Sequence, residues 1–278
     1  MVGPASKGMC MSVNAPGRAK IDAKTLRTDA WWLQPAITAA VLLSFIVYAT
    51  WRAFEDKFYF VNELNPGGKV DLISPFYSPC LASHCVSGSS MLGQPIGSWW
   101  TLSPALLILV FPLGFRFTCY YYRKAYFRSF WLSPPACAVA EPHTKYTGET
   151  RFPLLVNNLH RYFFYIGLVF NALLTIDAFI AFRGVQGGFH MSVGTVVLLL
   201  NATFLWLYSL SCHSCRHAMG GRLNHFSKHP VRYRMWTWIS RLNTHHPKFA
   251  WISLIGVALA DYYVRCISAG TFTDILFF

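Results

Sequence analysis

The chain has 278 residues, of which 54% are hydrophobic and only 13% are charged. Soluble domains contain about 25% charged residues, so this composition excludes an ordinary soluble protein and favours a membrane protein. The formal net charge of +13 does not indicate nucleic-acid binding, because the basic residues are grouped in polar segments between apolar runs, as membrane topology requires.

Five apolar runs follow one another along the chain, and each is long enough to cross about 30 Å of hydrocarbon as a helix. We predict spans at 31–53, 98–119, 154–182, 190–217 and 249–268. The expected fold class is an all-α polytopic membrane protein, a bundle of five transmembrane helices. Most lysines and arginines lie before the first run, between the second and third, or between the fourth and fifth. The positive-inside rule therefore predicts a cytoplasmic N terminus in a multi-pass protein of the plasma (inner) membrane, with anionic lipid as a partner.

Two regions are predicted. Residues 1–30 form a polar cytoplasmic leader, and residues 31–278 form the membrane domain, with an external loop at about 54–97. The loop contains Cys80 and Cys85. On an external face thiols oxidise, so a disulfide between these two is favoured over a metal site.

Two acidic residues lie near the external ends of predicted spans. Asp177 is in the third run and Asp261 in the fifth, and Arg183 and Arg265 follow them closely in sequence. Structural ion pairs are the favoured interpretation, and a proton path is the alternative.

The most unusual stretch of the chain, residues 211–217, reads S-C-H-S-C-R-H and ends the fourth apolar run. If the helix continues through it, Cys212 and Cys215 share one face, and His213 and His217 share a neighbouring face. Thiolates favour zinc or iron–sulfur clusters, and imidazole suits zinc, iron or haem. The stretch therefore predicts a metal or redox site at the cytoplasmic end of a membrane helix.

Further candidate ligands lie at the same predicted depth. Cys119 ends the second run, Cys137 follows a Pro-Pro turn, and His160 opens the third run. A 2Fe–2S cluster with mixed ligation, as in Rieske centres, would use both residue types. The favoured ligands are Cys212, Cys215, His217 and His160. The alternative ligands are Cys119, Cys137 and His213.

Other interpretations of these residues remain open. A haem b could be held between His160 and a histidine of the fourth run, but it would leave the cysteines unexplained. A zinc site of two cysteines and two histidines would be structural, and buried cysteines can simply be packing residues. A non-redox protein such as a transporter is the rival from another class. It is disfavoured because the polar residues are concentrated at one end of the runs and no internal repeat is found.

A mixed Cys and His cluster has a raised reduction potential, which would suit electron transfer to a quinone. A quinone site needs apolar walls and a few polar groups near the cluster. The candidates are Arg161, Tyr165, Trp206 and Tyr208.

Four motifs carry a resemblance to a known family. They are T-C-Y-Y-Y-R-K-A-Y at 118–126, S-P-P-A-C-A-V at 133–139, H-R-Y-F at 160–163 and the S-C-H-S-C-R-H stretch. They resemble the single-chain, five-helix membrane anchor of actinobacterial-type succinate dehydrogenase, from residue 31 to the end of the chain. The resemblance implies a cytochrome b-like anchor subunit of respiratory complex II, inactive alone. Its expected partners are a flavoprotein and an iron–sulfur subunit, with menaquinone or ubiquinone as the electron acceptor.

Overall fold

The computed structural model describes residues 27–61, 71–82, 85, 92–142, 148–183 and 188–278. Most of the predicted leader, residues 1–26, lies outside this part of the chain. Within it, the regular elements are helices, and extended segments meet only as isolated bridges.

Eight α-helices occur in the described residues. They are α1 (Leu33–Glu55), α2 (Pro104–Thr118), α3 (Tyr120–Phe130), α4 (His160–Ile180), α5 (Val193–Leu210), α6 (His213–Gly220), α7 (Pro230–Asn243) and α8 (His246–Ser268). A 3₁₀ turn, Leu154–Leu159, leads directly into α4.

Four of the described helices are long and apolar enough to span a membrane: α1, Leu154–Ile180, α5 and α8. The pair α2 and α3, bent by 78° at Cys119, is a fifth candidate. The predicted all-helical membrane bundle is confirmed, with four or five spans. We keep the names cytoplasmic end and external end for the two ends of the bundle, as the charge distribution predicts them.

Local sequence signals explain where helices begin. Ser103 caps α2 by accepting a hydrogen bond from the Ala105 amide, and Pro104 occupies the first turn. Ser192 and Thr195 form a reciprocal capping box at the start of α5. Helices α4, α5 and α8 pack side by side, and α2 packs against α4. The cytoplasmic ends of these four helices therefore lie close together.

The predicted fourth span, 190–217, is wrong at its end. Helix α5 stops at Leu210, and Cys212 has extended backbone angles, φ −65° and ψ 145°, before α6 begins. Cys119 has nearly the same angles, φ −64° and ψ 129°, between α2 and α3. The segments after each break, α3 and α6, are rich in aromatic, basic and histidine residues that suit the membrane interface rather than hydrocarbon. The two cysteines of the S-C-H-S-C-R-H stretch thus do not share one helix face.

The external segment before α2 folds over the bundle. A disulfide joins Cys80 to Cys85 there. Phe76 and Tyr77 are buried in the same segment, and they pack in one apolar cluster with Ala49 of α1.

The predicted pairing of Asp261 with Arg265 is not formed. Asp261 pairs instead with Arg52 of α1, at 2.7 Å between Nε and Oδ2, and both side chains are fully buried. Arg265 pairs with Glu55 of α1, at 3.0 Å between Nε and Oε2. Helices α1 and α8 pack against each other. Arg52 on α1 therefore takes the place of Arg265, one turn along α8, as the partner of Asp261.

The predicted pairing of Asp177 with Arg183 is also not formed. Asp177 is buried, and neither carboxyl oxygen has a hydrogen-bond partner among the described residues. Arg183 is exposed beyond the end of α4.

Candidate metal centre at the helix junctions

Two thiols and two imidazoles meet at the cytoplasmic end of the bundle, each from a helix junction. Cys119 lies between α2 and α3, and Cys212 lies between α5 and α6. His160 is the first residue of α4, and His246 is the first residue of α8. Nε2 of His160 lies 3.1 Å from Sγ of Cys212, and Nε2 of His246 lies 3.4 Å from Sγ of Cys119.

The residue before each cysteine orients the opposite histidine. Thr118 Oγ1 lies 3.0 Å from Nδ1 of His160 and donates its own proton to the Gly114 carbonyl at 2.7 Å. Because a hydroxyl has one proton, Thr118 must accept a hydrogen bond from Nδ1–H of His160. This leaves the lone pair on Nε2, which faces the thiol of Cys212.

The second histidine is held in the same way. Ser211 Oγ lies 2.8 Å from Nδ1 of His246 and donates to the Tyr208 carbonyl at 3.0 Å. The His246 ring therefore also carries its proton on Nδ1 and directs the Nε2 lone pair at Cys119. A hydrogen bond of this kind on the far nitrogen is the usual support of a metal-binding histidine.

Aromatic rings fix both imidazole planes. The His160 ring stacks on Phe115 with centroids 5.2 Å apart, and the His246 ring stacks on Tyr208 at 5.1 Å. Cys119, Cys212 and His246 are buried, and His160 is half-buried. Both rings are therefore held in one orientation before any ligand binds.

The electrostatic environment keeps the Cys212 thiol neutral until a cation binds, and it includes a buried positive charge nearby. Burial raises the pKa of the Cys212 thiol to about 12, so this thiol becomes a thiolate only when a bound cation offsets its charge. Arg116 is buried beneath, with its guanidinium 4.8 Å from the centre of the Tyr208 ring. It hydrogen-bonds to Tyr122 Oη at 2.7 Å and to Ser253 Oγ at 3.1 Å, and it has no acidic partner within the described ranges. A buried cation without a carboxylate stabilises a negatively charged centre nearby.

A cavity of about 630 Å³ opens above these residues. Its walls include Asn157, Asn158, His213 and Asn243. Asn157 is buried, and neither its amide oxygen nor its nitrogen has a partner among the residues described. Unsatisfied buried amides are rare in proteins, which makes Asn157 a candidate polar contact for a molecule bound in the cavity.

Only some of the predicted ligands lie together in the structure. His160, Cys212 and the alternative Cys119 are in the centre, and the alternative His213 is at the exposed rim of the cavity. Cys215 is buried in the apolar cluster below and does not line the cavity, and burial raises its pKa. The exposed His217 contacts Arg161 at the surface, and Cys137 is exposed. Helix α6 carries Cys215 and His217 away from the centre, because the chain breaks at Cys212.

Sequence reasoning misses His246. The residue falls among the basic loop residues when the fifth span is taken to begin at 249. The signal that could have found it is Pro247, which favours a helix start and makes His246 the first residue of its span, as His160 is.

The predicted quinone-binding residues do not form one site. Tyr208 is buried beside His246, and its hydroxyl has no partner in the described structure. The other three face away from the centre: Tyr165 and Arg161 are exposed, and the indole of Trp206 donates to Thr175 Oγ1 at 2.9 Å.

Within the described part of the chain, no three His, Cys, Asp or Glu side chains are placed as ligands of a single metal ion. The four side chains form two close Cys–His contacts instead. A binuclear cluster takes two protein ligands on each iron, whereas a structural zinc site gathers four around one point. The arrangement in pairs therefore fits a binuclear cluster better than a single zinc ion.

Comparison with known proteins places the chain in a family. The family model described as "Actinobacterial succinate dehydrogenase subunit SdhC" matches residues 33–270. A solved structure, "Mycobacterium smegmatis Sdh1 complex in the apo form", has a similar chain with 52% sequence identity and a TM-score of 0.85. The match covers 95% of this chain and 97% of that one. No curated protein sequence matches the chain. The expected resemblance is thus confirmed, and the chain belongs to the actinobacterial succinate dehydrogenase SdhC family, as a membrane subunit of that enzyme complex.

Proposed function

We propose that this subunit passes electrons from a cytoplasmic iron–sulfur subunit to membrane quinone through a 2Fe–2S cluster. Its ligands are Cys119, Cys212, His160 and His246. The observation that carries the proposal is the arrangement of both imidazoles, each donating its Nδ1–H to a neighbouring hydroxyl and facing a buried thiol with its Nε2 lone pair.

The donor set fits the cluster chemically. When bound, a 2Fe–2S cluster would supply reversible one-electron transfer, and imidazole ligands in place of thiolates raise its potential. Each contact here pairs one thiol with one imidazole, whereas a Rieske centre has two imidazoles on one iron and two thiolates on the other. Thr118 and Ser211 keep both histidines in the ligating tautomer, and Arg116 offsets the negative charge of the thiolates. Haem b is the alternative. A haem would use the two histidines as axial ligands, but the buried thiols of Cys119 and Cys212 beside them would then have no role.

Quinone is the proposed electron acceptor. The cavity of about 630 Å³ lies within the usual range for small-molecule sites, and it adjoins both histidines. Tyr120 and Tyr121 supply aromatic walls, and Asn157 supplies an unpaired amide for a quinone carbonyl. Menaquinone and ubiquinone both have this chemistry.

The remaining subunits of the complex are proposed to dock at the cytoplasmic end. The flavoprotein would oxidise succinate, and the iron–sulfur subunit would lie above the cavity. Exposed basic residues on this end also suit anionic lipid headgroups. They are Arg222, Lys228, Arg234 and Arg241.

Low-temperature EPR of the reduced, purified complex tests the cofactor. A rhombic signal at low average g that disappears when Cys212 is replaced by serine is the expected result. An optical spectrum and metal analysis of the same sample complete the test. A strong haem absorption band with two axial histidines, or one zinc per subunit with no such signal, would overturn the cluster assignment.

Replacement of Asn157 by leucine should weaken quinone binding. The change removes one hydrogen bond to a buried carbonyl partner, which is worth about 1–3 kcal/mol, or roughly a 5- to 150-fold rise in the apparent KM for quinone. The KM is measured with a soluble quinone analogue, with succinate oxidation by a dye as the assembly check.

Asn158→Leu is the matched control. Asn158 also lines the cavity, but it is exposed, and its amide already donates to the Glu149 carbonyl at 3.3 Å. Its replacement should leave the quinone KM within about twofold. Equal changes in the two variants would contradict a specific role for Asn157.

A further inference from the structure

Two buried aspartates in the external halves of α4 and α8 have opposite environments. Asp261 accepts hydrogen bonds from Arg52, from Tyr48 Oη at 2.5 Å and from Ser74. Asp177 is only 2% exposed, and neither of its oxygens has a partner within the described ranges. These partners account for the burial of a charged Asp261. No such partner in the described part of the chain accounts for the burial of Asp177.

The surroundings of Asp177 supply a polar neighbour but no counter-charge. Ser78, from the external segment, is fully buried with an unpartnered hydroxyl, and it is the polar side chain that approaches the carboxyl. The two arginines in the external halves of α1 and α8, Arg52 and Arg265, are engaged with Asp261 and Glu55. An unpaired carboxylate in an apolar interior is strongly unfavourable, so such a group persists where its proton is bound and exchanged.

Further buried polar groups lie between α4 and α5. Asn171 lies six residues earlier on α4, about 9 Å along the axis at 1.5 Å per residue, and its amide donates to Ser209 Oγ at 2.8 Å. Because the two helices are antiparallel, Asn201 of α5 comes near the level of Asp177. Asn201 is 3% exposed, and its side-chain oxygen has no partner in the described structure.

The same series reaches the candidate metal centre. Tyr208 immediately precedes Ser209 on α5, and its buried hydroxyl is unpartnered in the part of the chain described. Its ring stacks on His246. We call the residues Asp177, Asn201, Asn171, Ser209 and Tyr208 the polar line. It covers the distance from Asp177 to the level of His160, about 25 Å of helix.

We propose that Asp177 takes up protons from the external face and that the polar line, with water bound between its groups, delivers them to quinone at the cytoplasmic end. This rests on the proposed quinone reduction. Each quinone gains two electrons and two protons to become quinol, and the electrons come from succinate, which is oxidised to fumarate. At least one of the two protons comes from outside. Asp177 loses that proton to the line and regains one through Ser78, so it is unchanged after each turnover.

The test uses the complete complex in sealed vesicles, with the succinate-oxidising side outward, quinone in the bilayer and a pH-sensitive dye trapped in the lumen. Potassium with valinomycin removes the membrane potential. On adding succinate, we expect the lumen to become alkaline in step with quinone reduction. Quinone reduction with no lumen pH change would overturn the proposal. Failure of the wild-type complex to reduce quinone would instead contradict the proposed function.

Variants locate the route. Asp177→Asn keeps the size of the side chain, removes its exchangeable acid and should slow lumen proton uptake at least tenfold, while Asp177→Glu should keep most of it. Dye-linked succinate oxidation shows that each complex is assembled. Ser78→Ala is a second variant, expected to slow uptake without removing the carboxyl. Unchanged lumen uptake in both Asp177→Asn and Ser78→Ala would exclude this route.

Discussion

Replacing Cys119 or Cys212 with serine is expected to reduce quinone reduction by the assembled complex at least 100-fold. Each thiol faces an imidazole whose lone pair is already directed toward it, and a hydroxyl is a much poorer ligand for iron than a thiolate. Succinate oxidation by a soluble dye should persist, because that reaction does not need the membrane subunit to transfer electrons. The two rates are measured on the same purified sample.

Cys215→Ser is the matched control for this prediction. Cys215 is also a buried thiol, packed in the same apolar cluster as the other two, but it does not line the cavity. Its replacement should change the rate of quinone reduction by less than about twofold. A loss as large as that of Cys119→Ser would return Cys215 to the ligand set.

The histidines allow the same comparison. His246→Ala should abolish quinone reduction and the EPR signal, whereas His217→Ala should keep both, because His217 is exposed beside Arg161. The opposite result would favour the ligand set predicted from sequence, which includes His217, over the set at the four helix junctions.

The membrane spans could be predicted from sequence because about 20 apolar residues in a row have few alternatives to a membrane helix. The breaks at Cys119 and Cys212 could not be predicted, because hydropathy falls gradually at a helix end and contains no information on backbone angles. Two of the four residues in the candidate site, Cys212 and His160, could be predicted because they are reactive groups at the ends of apolar runs. The other two depend on which helix ends meet, and this is set by packing between distant segments.

The ion pairs also could not be predicted from sequence proximity. Proximity in sequence suggested Arg265 as the partner of Asp261, but the packing of α1 against α8 presents Arg52 instead. Long-range partners of this kind depend on the relative rotation of two helices, which no local pattern contains. Asp177 is different, because Arg183 follows it by six residues, which is not a spacing at which helix side chains pair.

Asp261→Ala is expected to cause a large loss of stability in the helix bundle. It removes one of the two carboxylates that pair with the fully buried Arg52, leaving only Glu55, and it removes the acceptor used by Tyr48 and Ser74. Breaking a buried pair in this way costs about 3–5 kcal/mol. We expect poor assembly of the complex, or a Tm lower by several degrees, measured by thermal unfolding of the purified complex in detergent.

Asp177→Ala is the control that separates loss of pairing from loss of a carboxyl group. The same atoms are removed at a similar depth, but no hydrogen bond in the described structure is broken, so the change in Tm should be small. The double variant Asp261→Leu with Arg52→Met should regain much of the stability lost in Asp261→Ala, because an apolar pair leaves no buried charge unpaired. Equal loss in both aspartate variants, without recovery in the double variant, would mean that the ion pair between α1 and α8 does not hold these helices together.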